Sequence, residues 1–251
     1  MVARSLNRID RVASSDSAST KPLTVIIPAY DDTPLLRRAI WAVKSTAHHP
    51  FELLVRPSKV QSVAENRNDC LDRTSTDLVA FLDDDVLLPA HWMSRMMAIL
   101  TRDRTIGAVS AFLQFPDGSP QTRRERLGED ELWDVPIPGT CFIYSRSRVG
   151  DLRFDPRFRG SQWEDTDWIW RVREQSLRTV MTGAVVVVHE HRMTQNDWLE
   201  HNRKEFREKW GRLPDSGETC AISPEQYRSW KAPALETLLH EESASPRSPR
   251  G

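Results

Sequence analysis

Three cysteines are all this sequence contains, namely Cys70, Cys141 and Cys220. They are far apart, odd in number and form no C-x-x-C pair, which excludes a disulfide scaffold and a zinc knuckle. Their scarcity fits a reducing, cytosolic setting. Long apolar runs are also missing. The longest, such as Leu78–Leu82 and Ala184–Val188, fall far short of the ~20 residues of a membrane span. Arg4, Arg8 and Arg11 are followed by no apolar segment, so no signal peptide is expected. Neither charge sign dominates. Lys plus Arg number 35 and Asp plus Glu 36, a net charge of −1, whereas a general nucleic-acid binder carries a basic excess. No glycine-rich loop follows the first strand.

What is present describes a globular chain of 251 residues, 39% hydrophobic and 28% charged. Residues 1–21 are Ser-rich and read as a flexible tail, and 213–251 as a partly disordered extension. Between them, 22–212 read as one domain. Leu23–Pro28, Phe51–Val55 and Leu78–Leu82 are short apolar strands. Thr33–Ser45, Val63–Leu71 and Pro89–Leu100 carry apolar residues at helical spacing. Further strands are expected at Ile106–Leu113, Thr140–Tyr144, Val180–Met181 and Val185–Val188, and helices at Trp163–Gln175 and Thr194–Trp210. The first hundred residues thus run β-α-β-α-β-α. That order favours an α/β fold, Rossmann-like, with a mostly parallel sheet flanked by helices. Ligands of such sheets sit at the carboxyl ends of the strands, just after Pro28, Val55 and Leu82.

Three clusters stand out. Asp83-Asp84-Asp85 follows the third strand, and three adjacent carboxylates repel unless a cation neutralises them. Hard oxygen ligands suit Mg²⁺ or Mn²⁺. An acidic turn capping the next helix is the bland alternative, and position at the ligand edge of the sheet tips the balance toward metal. Trp163-Glu164-Asp165-Thr166-Asp167-Trp168 opens a helix. The macrodipole favours acidic residues there, and a carboxylate between aromatics also suits proton abstraction. Trp168 and Trp170 read as core, and Trp163 as a platform for a sugar face. His189-Glu190-His191 follows a strand. In an extended segment the two histidines point to one side, a metal-ligand pattern as well as a common surface one.

Together these clusters resemble the family 2 glycosyltransferases of GT-A fold. The match starts at Leu23–Tyr30, with its Pro-x-Tyr end. It continues through Ala64-Glu65-Asn66-Arg67-Asn68, the strand running into Asp83–Asp85, and Phe154-Asp155-Pro156-Arg157-Phe158. It closes on Trp163–Asp167 and His189. The resemblance implies an inverting transfer of a sugar from a nucleotide-diphosphate donor to an acceptor hydroxyl. Asp83–Asp85 correspond to the family's D-x-D motif, with Asp85 on a Mn²⁺ or Mg²⁺ ion and Asp83 or Asp84 toward the ribose or the metal's water. His189 would complete the metal site. Asp165 corresponds to the catalytic base, and Glu164, with Trp163, to the acceptor side. Pro28, Ala29, Tyr30 and Asp32 resemble the loop lining the nucleobase, and Asn66 joins the donor contacts.

The chain departs from the pattern in places. Arg56-Pro57-Ser58 stands where an acidic run usually contacts the base, so Arg56 would meet a phosphate or a guanine edge. Asp31 replaces an Asn, and Glu65 an Arg. Arg123, Arg124 and Arg126 read as a solvated loop or as a lid over the diphosphate. Cys141 reads as core. Basic residues of the last helix leave peripheral membrane contact open. Other classes compete. A retaining transferase on the same fold and a non-catalytic sugar-nucleotide or glycan-binding module both keep the sheet. A nucleotidyltransferase would need the absent glycine loop.

Overall fold

The computed structural model describes residues 10–13, 23–121, 128–129, 131–135, 140–190, 198–213 and 230–231. Asp10–Ala13 (β1) lies inside the stretch read from sequence as a tail. It instead runs antiparallel to Phe51–Pro57 (β3) as an edge strand. Edge pairing needs only backbone groups, which composition does not report. The rest of both tails falls outside the described residues, as do Arg123, Arg124, Arg126, His191 and Cys220.

Leu23–Ala29 (β2) is buried along its whole length, as an unbroken apolar strand between two layers must be. β3 and Leu78–Leu82 (β4) flank it, both parallel. The helix Pro34–Thr46 (α1) makes the first crossover. Thr33 caps it, its hydroxyl accepting from the Leu36 N–H at 3.1 Å, and proline occupies the first turn. Val63–Leu71 (α2) makes the second and starts at a capping box. The Ser62 hydroxyl accepts from Glu65 N–H at 3.2 Å, and the Glu65 carboxylate accepts from Ser62 N–H at 2.8 Å. Glu65, a departure from the family pattern, thus serves a local need.

Val86–Leu87 (β5), Trp92–Arg102 (α3) and Ile106–Gln114 (β6) follow, then Glu131–Asp134 (β7), Cys141–Ser145 (β8) and Arg146–Val149 (α4). The chain continues through Glu164–Glu174 (α5), Arg178–His189 (β9), Leu199–Trp210 (α6) and Trp230–Lys231 (β10). The sheet order is β1-β3-β2-β4-β8-β6-β9-β7-β10, with β5 paired to β9. The sheet is mixed. β2, β3 and β4 are mutually parallel where adjacent, and β6 is parallel to β9, while β8 enters antiparallel between β4 and β6. The two short strands expected within 180–188 are one strand, and a register shift opposite Ala111/Phe112 absorbs Gly183–Val185.

One face of the sheet buries α1 and α3 through Leu36, Val43, Trp92 and Met96. The other buries α2 and α5 through Phe81, Phe142, Tyr144, Phe154 and Trp168. Both faces are therefore covered, and the carboxyl edge is where ligands of such sheets bind. Among the described residues, no helix is long and apolar enough to cross a membrane.

Candidate active site

Parallel pairing brings the ends of β2, β3 and β4 to one edge, and the acidic run leaves β4 there. Asp83 N–H donates to the Thr140 carbonyl at 3.0 Å, so the run begins anchored to the start of β8. It ends in β5, where Val86 pairs with His189 and Glu190 N–H donates to the Asp85 carbonyl at 3.0 Å. Backbone bonds thus set the end of β9 beside the aspartates. His189 Nε2 lies 3.1 Å from Asp85 Oδ1, and its Nδ1 lies 2.6 Å from Gln121 Oε1. A partner on one ring nitrogen orients the ring and directs the other nitrogen into the site. One ligand atom from each of Asp83, Asp85 and His189 falls within 4.8 Å of the others. Two carboxylates and an imidazole are a donor set that suits Mn²⁺ or Mg²⁺.

The electrostatics argue for the same fit. Burial pushes Asp83 up to about 7, against Arg67 and His189, which pull it down. Its side chain is still 34% exposed, so solvent screens part of that effect. Burial, then the charge of Asp85, pushes Asp84 up to about 6. At His189 burial works downward, but the hydrogen bond with Asp85 and the charges of Asp83, Asp85 and Asp84 lift it above its ordinary value. The cluster therefore holds protons where a cation would relieve it.

The acidic residues at the head of α5 separate because helical side chains diverge by about 100° per residue. Glu164 turns inward, buried, and pairs with Arg67 at 2.9 Å. Burial lifts its carboxyl above the ordinary range, with Arg67 opposing. Asp167, fully buried, meets Lys209 at 2.7 Å, Arg171 at 2.8 Å and the Trp210 indole N–H at 3.0 Å. Asp165 lies between them, half-buried, accepting from Thr166 N–H at 2.7 Å, and its charge acts on Asp83 and Glu164. The backbone before it is strained. Gln162 and Trp163 sit at φ +77° and +76°, a conformation that costs a non-glycine residue about 1–3 kcal/mol. The Trp163 ring packs 5.1 Å from Phe206.

The other expected site residues lie at the same edge in different states. Pro28 and Ala29 close β2, and the Ala29 carbonyl accepts from Ser58 N–H and from the buried Asn66 amide. Tyr30 follows with 68% of its surface exposed. Asp32 pairs with Arg37 at 2.8 Å and Asp31 with Lys59 at 2.5 Å. Arg56 is buried, its guanidinium at 2.8 Å from Gln61 and 3.0 Å from Asp69. Cys141 is buried within the core, and burial raises its thiol.

Two residues of the site were given no role by the sequence reading, although Arg67 stands in one of its motifs. Arg67 joins the two acidic clusters, at 3.4 Å from Asp83 and 2.9 Å from Glu164, with its guanidinium against Phe81 and Phe154. Its signal was an arginine on the buried side of α2. Gln121 has no local signal at all.

Residues 48–155 match the sequence model of "Glycosyl transferase family 2". A "Pre-mycofactocin glycosyltransferase" of Mycobacterium tuberculosis (strain H37Rv) is 26% identical over 223 residues, covering 75% of this chain and 46% of the relative. "Succinoglycan biosynthesis protein ExoM" of Rhizobium meliloti (strain 1021) is 32% identical over 158 residues, covering 58% of this chain and 50% of the relative. The chain spans about half the length of these curated relatives. Among solved structures, GalNAc-T7 with UDP, GalNAc and Mn²⁺ superposes with a TM-score of 0.59 at 13% identity, over 80% of this chain and 49% of that one. The mannosyltransferase PcManGT of Pyrobaculum calidifontis, in complex with GDP-Man and Mn²⁺, gives 0.56 at 17%, over 92% and 71%. At that identity the likeness shows the fold, which is GT-A.

Proposed function

We propose that this chain is a member of glycosyl transferase family 2, whose model residues 48–155 match, and a metal-dependent inverting glycosyltransferase using a nucleoside-diphosphate sugar. The observation that carries the reading is the convergence of Asp83, Asp85 and His189 at the carboxyl edge of the sheet. Asp165, whose charge is felt at Asp83, opens the helix beside them.

Asp83, Asp85 and His189 would hold a divalent cation, with Gln121 on Nδ1 leaving Nε2 of the imidazole for it. A bound divalent ion supplies charge neutralisation for the departing diphosphate. Pro28, Ala29, Tyr30 and Asp32 line the donor nucleotide with Asn66, Arg56 and Asp84, and the exposed Tyr30 ring offers a stacking face. Asp165 takes the proton from the acceptor hydroxyl as its oxygen bonds to the anomeric carbon. The bond from that carbon to the diphosphate oxygen breaks, and its electron pair leaves with the diphosphate. Trp163 and Glu164 shape the acceptor side, Glu164 from beneath through Arg67.

The test is thermal unfolding with UDP or GDP, the nucleotides of the two structural neighbours, with and without Mn²⁺. A nucleotide at ~100 times its Kd stabilises by about 2.7 kcal/mol. We expect one nucleotide to shift the transition only with Mn²⁺, and Asp85→Ala to abolish the shift. Asp165→Asn keeps the shift but loses at least ~100-fold in nucleoside-diphosphate release. A shift that survives without metal or in Asp85→Ala overturns the metal assignment. Normal turnover in Asp165→Asn overturns the base.

A further inference from the structure

We propose that Asn202 is a positioning residue that holds the strained turn presenting Asp165. The inference rests on the reading of Asp165 as the base. Asn202 lies on α6 and is wholly buried. Its entire amide is spent on one turn. Oδ1 accepts from Arg159 N–H at 2.8 Å, and Nδ2 donates to the carbonyls of Arg159 at 2.7 Å, Ser161 at 3.0 Å and Gln162 at 3.0 Å. Only two N–H groups serve those three carbonyls, so the turn is folded tightly around the amide.

The turn needs such a hold. Gly160, Gln162 and Trp163 all take positive φ, at +59°, +77° and +76°. Glycine accepts that backbone freely, but Gln162 and Trp163 keep it only where the surroundings impose it. The Gln162 carbonyl, bound by Asn202, belongs to the peptide joining these two residues. The Trp163 carbonyl then accepts from Asp167 N–H at 2.9 Å and starts α5. Whatever fixes the 162–163 peptide therefore fixes the first turn of α5 and Asp165 within it. On its other side the turn is tied to α2, where Val63 N–H donates to the Gly160 carbonyl at 2.8 Å. The brace is itself anchored, because Asp167 binds Lys209 and Trp210 of α6. A leucine or valine would fill the same space; only an amide matches the turn's carbonyls and its N–H together.

The experiment compares Asn202→Ala, Asn202→Ala with Gln162→Gly, and Asp165→Asn in the full chain. Activity is read as nucleoside-diphosphate release from UDP-glucose and from GDP-mannose with Mn²⁺. Amide hydrogen exchange over 159–166 is read on the free protein. In Asn202→Ala, kcat falls about 10- to 100-fold, the loss expected when a reacting group shifts by an ångström or so. Donor KM stays within about twofold of wild type and exchange at 159–166 quickens at least ~10-fold, since Asp83, Asp85 and His189 lie on other elements. Adding Gln162→Gly returns part of the lost kcat, because glycine takes the left-handed backbone at 162 without the penalty that glutamine carries, while Trp163 keeps its own.

Wild-type kcat in Asn202→Ala beside an inactive Asp165→Asn overturns the role of Asn202 alone. Normal turnover in Asp165→Asn overturns the base reading and this inference with it. A loss that follows only the fall in Tm, with no recovery on adding Gln162→Gly, marks a merely structural asparagine and also overturns it. Unchanged exchange overturns it whether or not either sugar nucleotide is consumed. Should Asn202→Ala fail to fold, Asn202→Leu replaces it, filling the same space while offering the turn no hydrogen bond.

Discussion

Asp83, Asp84 and Asp85 are neighbours with different surroundings, and the difference sets their pH behaviour. Asp83 is lifted to about 7 and Asp84 to about 6 by burial, and His189 is lifted by the carboxylates around it. For each group the folded state binds protons more tightly than the unfolded chain. The unfolded state then carries fewer protons, so stability falls as pH rises. For Asp83 and Asp84 the fall begins above the unfolded value near 3.8 and is complete once pH passes about 6 to 7. For His189 the stabilisation is whole below about 6.5 and is lost as pH climbs through its raised value. Metal-free protein is therefore expected to show this site's contribution as a decline in Tm from pH 5 to pH 8. Mn²⁺ competes with those protons, so its stabilising effect grows over the same range. Calorimetric scans at several pH values, with EDTA or Mn²⁺, check this. A Mn²⁺ effect that is equal at pH 5 and pH 8 would refute it.

Elements are joined here by single polar residues whose partners are distant in sequence. Asn68 of α2 gives its amide N–H to the Phe154 carbonyl at 2.8 Å and accepts Phe154 N–H at 2.9 Å. Two of the resembling motifs therefore form one contact. Asp167 does the same for α5 and α6, with two cations and an indole around one buried carboxylate. Removing one partner of a buried ion pair costs about 3–5 kcal/mol, because the cations left behind lose their counter-charge. Asp167→Ala is expected to destabilise by about that much in urea unfolding. Asp155, which also binds Lys209 at 2.8 Å, retains part of the cation's pairing and sets the lower end of the range. A change under 1 kcal/mol would show that α6 docks through its aromatic face, Phe206 and Trp210 against Trp170.

At the scale of the molecule, the described residues form a sheet with a core on each face, and α5 joins the second core to the site. Trp168, wholly buried, lies 4.8 Å from Tyr144, 5.6 Å from Phe154 and 5.7 Å from Phe142, and its indole N–H donates to the Leu152 carbonyl at 3.2 Å. Trp168→Ala is expected to cost about 3–5 kcal/mol, and a urea midpoint within error of wild type would contradict that placement. Much of this plan was legible in the sequence. β2, β3 and β4 read as strands because burial on both faces leaves an unbroken apolar run. Thr33 followed by Pro34 marked where α1 begins. The four-residue β7 and the two-residue β5 and β10 did not read, because so few residues carry no periodicity.

By itself the sequence determined which residue types were available and where the local rules placed them. It set the alternation of strand and helix, the acidic run after β4 and the acidic head of α5. Tertiary structure alone decided which partners each of those carboxylates meets. Arg67 reaches Glu164 across 97 residues, and His189 meets Gln121 across 68. Asn202 reaches Arg159 across 43. Such pairs depend on strand order and helix docking, which no local window contains. A charged or amide side chain looks the same in sequence whether it faces water or a buried partner. Only packing removes the water, and with it gone each lone polar group must find the partner that the fold supplies.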